Sequence, residues 1–191
     1  LDADATGVPD FVEEAARRGD ESLAAFATLG FRPPLPDGAL GGDDRLDIYL
    51  RDLAGADGSF TADTCAQTPF TCSGHMTIEN DFVGYSYPSV SMALRILTSH
   101  ELFHAVQNAY DGDQPIAWSE GTAVWAEEVV FPEQSDFENL VAAFQAKPFR
   151  PFDRAGAGFG DLYPYGAALW PYFLEADVGA GVVAAAWVRC E

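Results

Sequence analysis

The chain has 191 residues, 48% of them hydrophobic and 13% aromatic, and carries a formal net charge of −20. That length and composition suit one folded domain (residues 1–191) with a sizeable core around a cleft, and they argue against a disordered chain. The acidity, with a pI of about 4.1, argues against nucleic acid as a partner, because a polyanion is repelled rather than steered in. No apolar run approaches the roughly 20 residues of a membrane span.

Residues 1–14 form a polar loop that enters a helix. Within them, Asp2-Ala3-Asp4-Ala5-Thr6-Gly7-Val8-Pro9-Asp10-Phe11-Val12-Glu13 matches the twelve-position loop of EF-hand type. Asp2, Asp4, Thr6, Asp10 and Glu13 fall on the side-chain ligand positions, and Val8 falls where a backbone carbonyl contributes. Gly7 falls at the sharp turn. The pattern predicts a structural calcium site. Thr6 in place of Asp or Asn, Pro9, and the lack of a preceding helix are its departures, and an acidic helix entry without metal is the competing reading.

Asp10 to about Leu29 has the spacing of an amphipathic helix, with a break expected at Gly19-Asp20. Pro33-Pro34 and Pro36-Asp37-Gly38 mark a turn-rich connector. Leu46–Leu50 alternates like a strand, and His75–Asn80 does so again. Between them, residues 54–74 read as a long loop holding Cys65 and Cys72. These two flank six residues, a spacing that fits a local disulfide and an oxidising compartment. Cys190 is left over, with a partner expected beyond the chain. No basic segment followed by an apolar stretch opens the chain, so no signal peptide is expected within it. Its abrupt start at Leu1 suggests a mature or trimmed form, and the compartment expected is extracellular.

Ser89 to Tyr110 is the strongest helical pattern, and it contains His100-Glu101-Leu102-Phe103-His104. Residues four apart share a helical face, so both imidazoles can reach one metal ion, with Glu101 beside them to take a proton from water. Hydrolytic zinc needs about three protein ligands and one open position. The flanking Leu97, Leu102, Phe103 and Val106 are apolar, which favours a buried helix over a pair of surface histidines. The next helix, Trp118 to about Val130, supplies Glu120 sixteen positions after His104. Glu127, one further heptad along the same face, is either a supporting partner or the ligand itself. Gly121 permits close approach of a neighbouring helix. Residues 136–146 suggest a third helix, Gly156–Gly160 a flexible loop, and Tyr165 onward a last helix or helix pair. Strands before helices indicate an α+β fold.

The HExxH motif together with Trp118-Ser119-Glu120-Gly121-Thr122-Ala123 resembles the gluzincins, and most closely a family of secreted bacterial zinc metalloproteases. The resemblance extends over Asp2–Glu13, Asp47–Leu50, Ile78–Phe82, His100–Tyr110, Trp118–Glu128 and Tyr165–Gly179. It implies zinc on His100, His104 and Glu120, with Glu101 as the catalytic base. It also implies a zincin-like fold, with a small mixed or antiparallel sheet and the active-site helix over residues 40–110 and a helical lobe over 111–191. The activity implied is peptide-bond hydrolysis on a peptide or protein substrate. The metzincin pattern fits less well, since Gln107 and Tyr110 stand where it needs Gly and His. Asp161 is a lesser candidate ligand and His75 a structural residue. An oxyanion donor is needed besides the metal. No spare histidine is available, which points to Tyr165 first and Tyr163 second. The His75–Asn80 strand is the expected edge for an extended substrate. A non-catalytic extracellular binding module and a zinc hydrolase of a non-peptide amide are the alternatives. Intact Glu101 counts against the binding module.

Overall fold

A computed structural model of the chain describes residues 1–133, 137–154, 156, 158 and 160–190. Its first helix, α1, runs Asp10–Thr28. The expected break at Gly19-Asp20 does not occur. Gly19 is buried because Ile48 packs against it, leaving only ordinary contact distance (3.4 Å) for an added Cβ. Arg18 pairs with Glu14 and Glu21 on either side of it, so side-chain pairing across the turn outweighs glycine's weak helix propensity.

Three strands follow: β1 (Ile48–Arg51), β2 (Gly58–Cys65) and β3 (Cys72–Glu79). They form one mixed sheet in the order β1-β3-β2. β1 pairs parallel to β3 in the register Ile48↔Met76, and β2 pairs antiparallel with a bulge between Ala62 and Thr64. Two sequence expectations change here. The segment read as a long loop contains β2. The strand expected at an edge, β3, is central and buried over nearly its whole length, so the edges are β1 and β2. The Cys65–Cys72 disulfide closes the end of the β2–β3 pair, with the two Cα atoms 4.1 Å apart.

The helix α2 (Val90–Gln107) begins at Ser89, whose hydroxyl caps the Met92 amide at 3.1 Å. This is the usual N-cap bond, which satisfies one orphan amide of the first turn. Apolar side chains surround α2 on most sides, so it lies in the middle of the fold. It packs on β2 and β3 and against α1 and the next helix, α3 (Ile116–Val130). The core around Phe103 is aromatic: Phe26, Phe31 and Trp125 rings lie 5.1, 5.0 and 6.0 Å from it. Burying such rings stabilises a fold by roughly 1.5–3 kcal/mol each.

After α3 come α4 (Glu138–Gln145), the short α5 (Tyr163–Gly166), α6 (Leu169–Val178) and α7 (Val182–Val188). The first residue of the expected 136–146 helix lies outside the described residues, as do 157 and 159 of the expected 156–160 loop. Trp187 of α7 returns to the main core and stacks on Trp118 at 5.8 Å. The architecture is mixed α+β, and one buried cluster runs from Ala15 to Trp187. Among the described residues no helix is long and apolar enough to cross a membrane.

Candidate metal centre

His100 and His104 leave the same face of α2, and Glu120 projects toward them from the second turn of α3. Glu120 Oε2 lies 3.2 Å from His100 Nε2 and 3.5 Å from His104 Nε2. The two Nε2 atoms are 3.1 Å apart. These three residues each offer one donor atom, all within 4.8 Å of one another, and the group could hold a metal ion. Gly121 lets α3 reach this position. A Cβ there would lie 2.9 Å from the Ala167 backbone carbon, so the close approach is to the chain just after α5 rather than to α2.

The far nitrogens of both imidazoles are occupied. His100 Nδ1 donates to Glu127 Oε1 at 2.6 Å. Glu127 thus meets His100 on the nitrogen turned away from Glu120 and lies outside the group that could hold a metal ion. His104 Nδ1 donates to Gln107 Oε1 at 2.8 Å. The direction of that bond follows from the amide's other contacts. Gln107 Nε2 donates to the Ser119 carbonyl at 2.8 Å and to Thr122 Oγ1 at 3.0 Å. Its oxygen is thus the acceptor, and the His104 proton sits on Nδ1. In the neutral imidazoles both Nε2 atoms then carry lone pairs, and these point at each other and at a carboxylate. Such an arrangement requires positive charge at the point of convergence.

The electrostatics agree. Burial works against a charged His100, but hydrogen bonds to Glu120 and Glu127 and the Glu127 and Glu101 charges outweigh it. The imidazole's pKa is held well above its usual value. His104 is raised in the same sense, against burial, by Glu120. Burial would push the Glu120 carboxyl up, yet the two histidines hold it far below the usual carboxylate range. A proton or a metal ion at this point satisfies the same demand, and the donor set of two imidazoles and one carboxylate suits a divalent transition metal.

Glu101 is buried beside the cluster and is not one of its three donors. Burial raises its pKa, the histidines oppose that rise, and Glu120 and Asp57 add to it. Its carboxylate lies directly under the start of β2. A Cβ on Gly58 would come within 2.9 Å of Glu101 Oε1, so only glycine leaves room there. A cleft opens at this point beside the start of β2, lined by Gly58, His100, Glu101 and Tyr165 together with the apolar Ile96, Leu97, Ile116, Val124 and Leu140.

The two tyrosines part company. Tyr165 lines the cleft and stacks on the His100 ring, with centroids 6.1 Å apart. Burial and then the Glu120 and Glu101 charges hold its hydroxyl protonated well beyond the usual range. Tyr163 is 2% exposed, and its hydroxyl donates to the Arg150 carbonyl at 3.0 Å. That bond, and the Arg150 guanidinium over its ring, make it a packing residue rather than an oxyanion donor. Asp161 is likewise taken, by Arg150 at 2.7 Å and Lys147 at 3.1 Å, and is not a ligand. His75 pairs with Asp63 at 2.9 Å and meets the Tyr49 ring edge-on, far from the metal group in its contacts.

At the N-terminus the carboxylates of Asp2, Asp4 and Asp10 converge as a second group that could hold an ion. The other three positions of the pattern are also brought together. Thr6 Oγ1 donates to Glu13 Oε1 at 2.6 Å and approaches the Val8 carbonyl at 3.4 Å. Gly7 makes the turn at a φ of 87°, and its amide donates to Asp2 Oδ2 at 3.0 Å. Gln107 and the strand β2 are the functional neighbours the sequence did not single out.

The chain matches no protein-family profile, no curated protein and no solved structure.

Proposed function

We propose that this chain is a zinc metallopeptidase of gluzincin type on a zincin-like fold, acting in an oxidising, extracellular compartment. The observation that carries the reading is the buried convergence of His100, His104 and Glu120 beside a carboxylate, Glu101, that takes no part in the donor set. Three protein donors leave the open position that a hydrolytic site needs and a closed structural site lacks. Zinc held there supplies a Lewis acid for the scissile carbonyl and acidifies water toward neutral pH.

The chain's own residues do the rest. Glu101, with its pKa raised by burial, accepts a proton from the attacking water and delivers it to the leaving amide nitrogen. The Tyr165 hydroxyl, which stays protonated, donates to the oxygen on which negative charge develops. The free edge of β2 gives an extended peptide a backbone to pair with, in the mode of strand addition. Gly58 opens that edge onto Glu101. The apolar side chains that line the cleft, Ile116 and Leu140 the more exposed among them, seat an apolar substrate side chain next to the cleaved bond. The Cys65–Cys72 disulfide supports the compartment, since such bonds persist where thiols are not kept reduced. Asp2, Asp4, Thr6, Val8, Asp10 and Glu13 hold a structural calcium ion in the same reading.

The test is proteolysis of a denatured protein by the zinc-loaded chain, with new termini read by mass spectrometry. Cleavage next to apolar residues, lost in Glu101→Gln while zinc is retained, is the expected result. Stoichiometric zinc without any cleavage would leave a non-catalytic module. Failure to take up zinc at all would remove the enzyme reading.

A further inference from the structure

Buried polar side chains on α2 and α3 divide into those that face the metal group and those that tie the two helices together. Gln107 does both, and it is 2% exposed. It lies one helical turn beyond His104. Its amide oxygen accepts from His104 Nδ1 at 2.8 Å and from the Ser119 hydroxyl at 2.9 Å. Its amide nitrogen donates to the Ser119 carbonyl at 2.8 Å and to Thr122 Oγ1 at 3.0 Å. Four contacts thus use both ends of one amide, and three of them go to α3. Ser119 is the residue immediately before Glu120.

We propose that Gln107 is the positioning residue of this centre: it sets the His104 tautomer and, in the same contacts, locks the spacing between the helix that carries the histidines and the helix that carries Glu120. The inference rests on the metallopeptidase reading above. Its physical content is the fixed polarity of the amide. A carboxylate in the same place accepts from His104 but gives nothing to the Ser119 carbonyl or to Thr122, and an apolar side chain does neither. The two imidazoles are consequently held by different chemistry. His100 is held by the charged Glu127, at 2.6 Å. His104 is held by a neutral group, which orients its ring without adding a further negative charge beside Glu101, Glu120 and Glu127. Groups that orient metal ligands in this way are worth about 10–100-fold in metal affinity.

The experiment uses the full chain and zinc alone. Zinc affinity is measured by competition with a chromophoric chelator for wild type, Gln107→Met, Gln107→Glu and Thr122→Val. Side-chain NMR on the zinc-loaded, 15N-histidine-labelled proteins reads the Nδ1 protons, which is tractable with three histidines in the chain. In wild type, His100 and His104 should both show slowly exchanging Nδ1–H signals. Gln107→Met should weaken zinc by about 10–100-fold and lose the His104 signal while keeping that of His100, which a general loosening of the fold would not do. Gln107→Glu should restore the His104 signal. Thr122→Val, which removes one anchor of the amide and retains its acceptor, should speed exchange at His104 alone, and it decides the matter if Gln107→Met does not fold. Wild-type zinc affinity and an unchanged His104 signal in Gln107→Met, or in Thr122→Val if that variant must stand in, would overturn the inference and leave the metallopeptidase reading intact. A wild-type chain that binds no zinc would instead overturn that reading itself.

Discussion

The His100–His104–Glu120 group draws on two packed helices, and every outer nitrogen of its imidazoles is tied to a neighbour. The Asp2–Asp4–Asp10 group draws on nine consecutive residues, and two of its three carboxylates are exposed. In the first, the surrounding core sets the geometry, and on the proposed reading an ion would supply the chemistry. In the second, the loop is held chiefly by its own contacts, the Thr6 and Gly7 amides donating to the Asp2 carboxylate, so on the proposed reading an ion would add to local order. A buried centre tolerates the loss of its metal without losing its shape, whereas an exposed acidic loop gains its rigidity from the cation. Solvent screening points the same way, because exposed charges interact weakly in water and buried ones strongly.

The contrast can be broken at either end. The largest expected effect is that of Glu101→Gln, which removes the base without touching a ligand. Turnover on a peptide substrate should fall by about 10²–10⁴-fold or more, with zinc content and melting temperature unchanged. Loss of zinc from that variant would place Glu101 among the ligands instead. Glu120→Ala should abolish stoichiometric zinc while circular dichroism retains the helical signal, as measured on protein purified without added metal. Collapse of the helical signal would show that the ion, not the core, holds the centre together. Gly58→Ala should lower kcat/KM by about 10–100-fold, since an added Cβ displaces the Glu101 carboxylate and small misplacements of reacting groups are costly. Its zinc affinity should stay at the wild-type level. The smallest effect belongs to the N-terminal loop. Calcium should raise the melting temperature by about 2–4 °C, the shift that goes with roughly 1 kcal/mol in a chain of this size. Amide shifts on titration should be confined to the loop and the first turn of α1, and both should vanish in Asp2→Asn. Movement of the His100 or His104 resonances during that titration would mean that the two groups are coupled after all.

What the sequence revealed follows the range over which each signal acts. The HExxH helix is legible because four-residue spacing and an apolar surround both lie within α2. Glu120 is legible because it sits at a workable distance on a second helix. β2 is not legible because its outer half is exposed on both faces, so no hydrophobic alternation marks it. β3 misleads in the opposite way. Its alternating residues suggest an edge, yet strands on both sides and α2 against it bury Thr77 and Glu79 along with Met76 and Ile78. Glu79 is accommodated because the Leu53 and Asn80 amides donate to its carboxylate at 2.7 and 3.0 Å. Gln107 is silent because its meaning depends on Ser119 and Thr122, residues that meet it only after α3 has packed. The sequence ranks Tyr165 before Tyr163, and the fold separates them by place: Tyr165 lines the cleft against the His100 ring, whereas the Tyr163 hydroxyl is bonded to the Arg150 carbonyl.

The exposed side of β2 has one more consequence, for the behaviour of many copies in solution. An edge strand with unpaired amides and carbonyls can receive another copy of itself as readily as a guest peptide. Two features oppose this. The strand is bulged between Ala62 and Thr64, and copies carrying a net charge of −20 repel one another. The second defence disappears as the medium approaches the pI of about 4.1. Mildly acidic storage is therefore the condition under which this protein should begin to self-associate, edge to edge, with its clefts closed by its own neighbours.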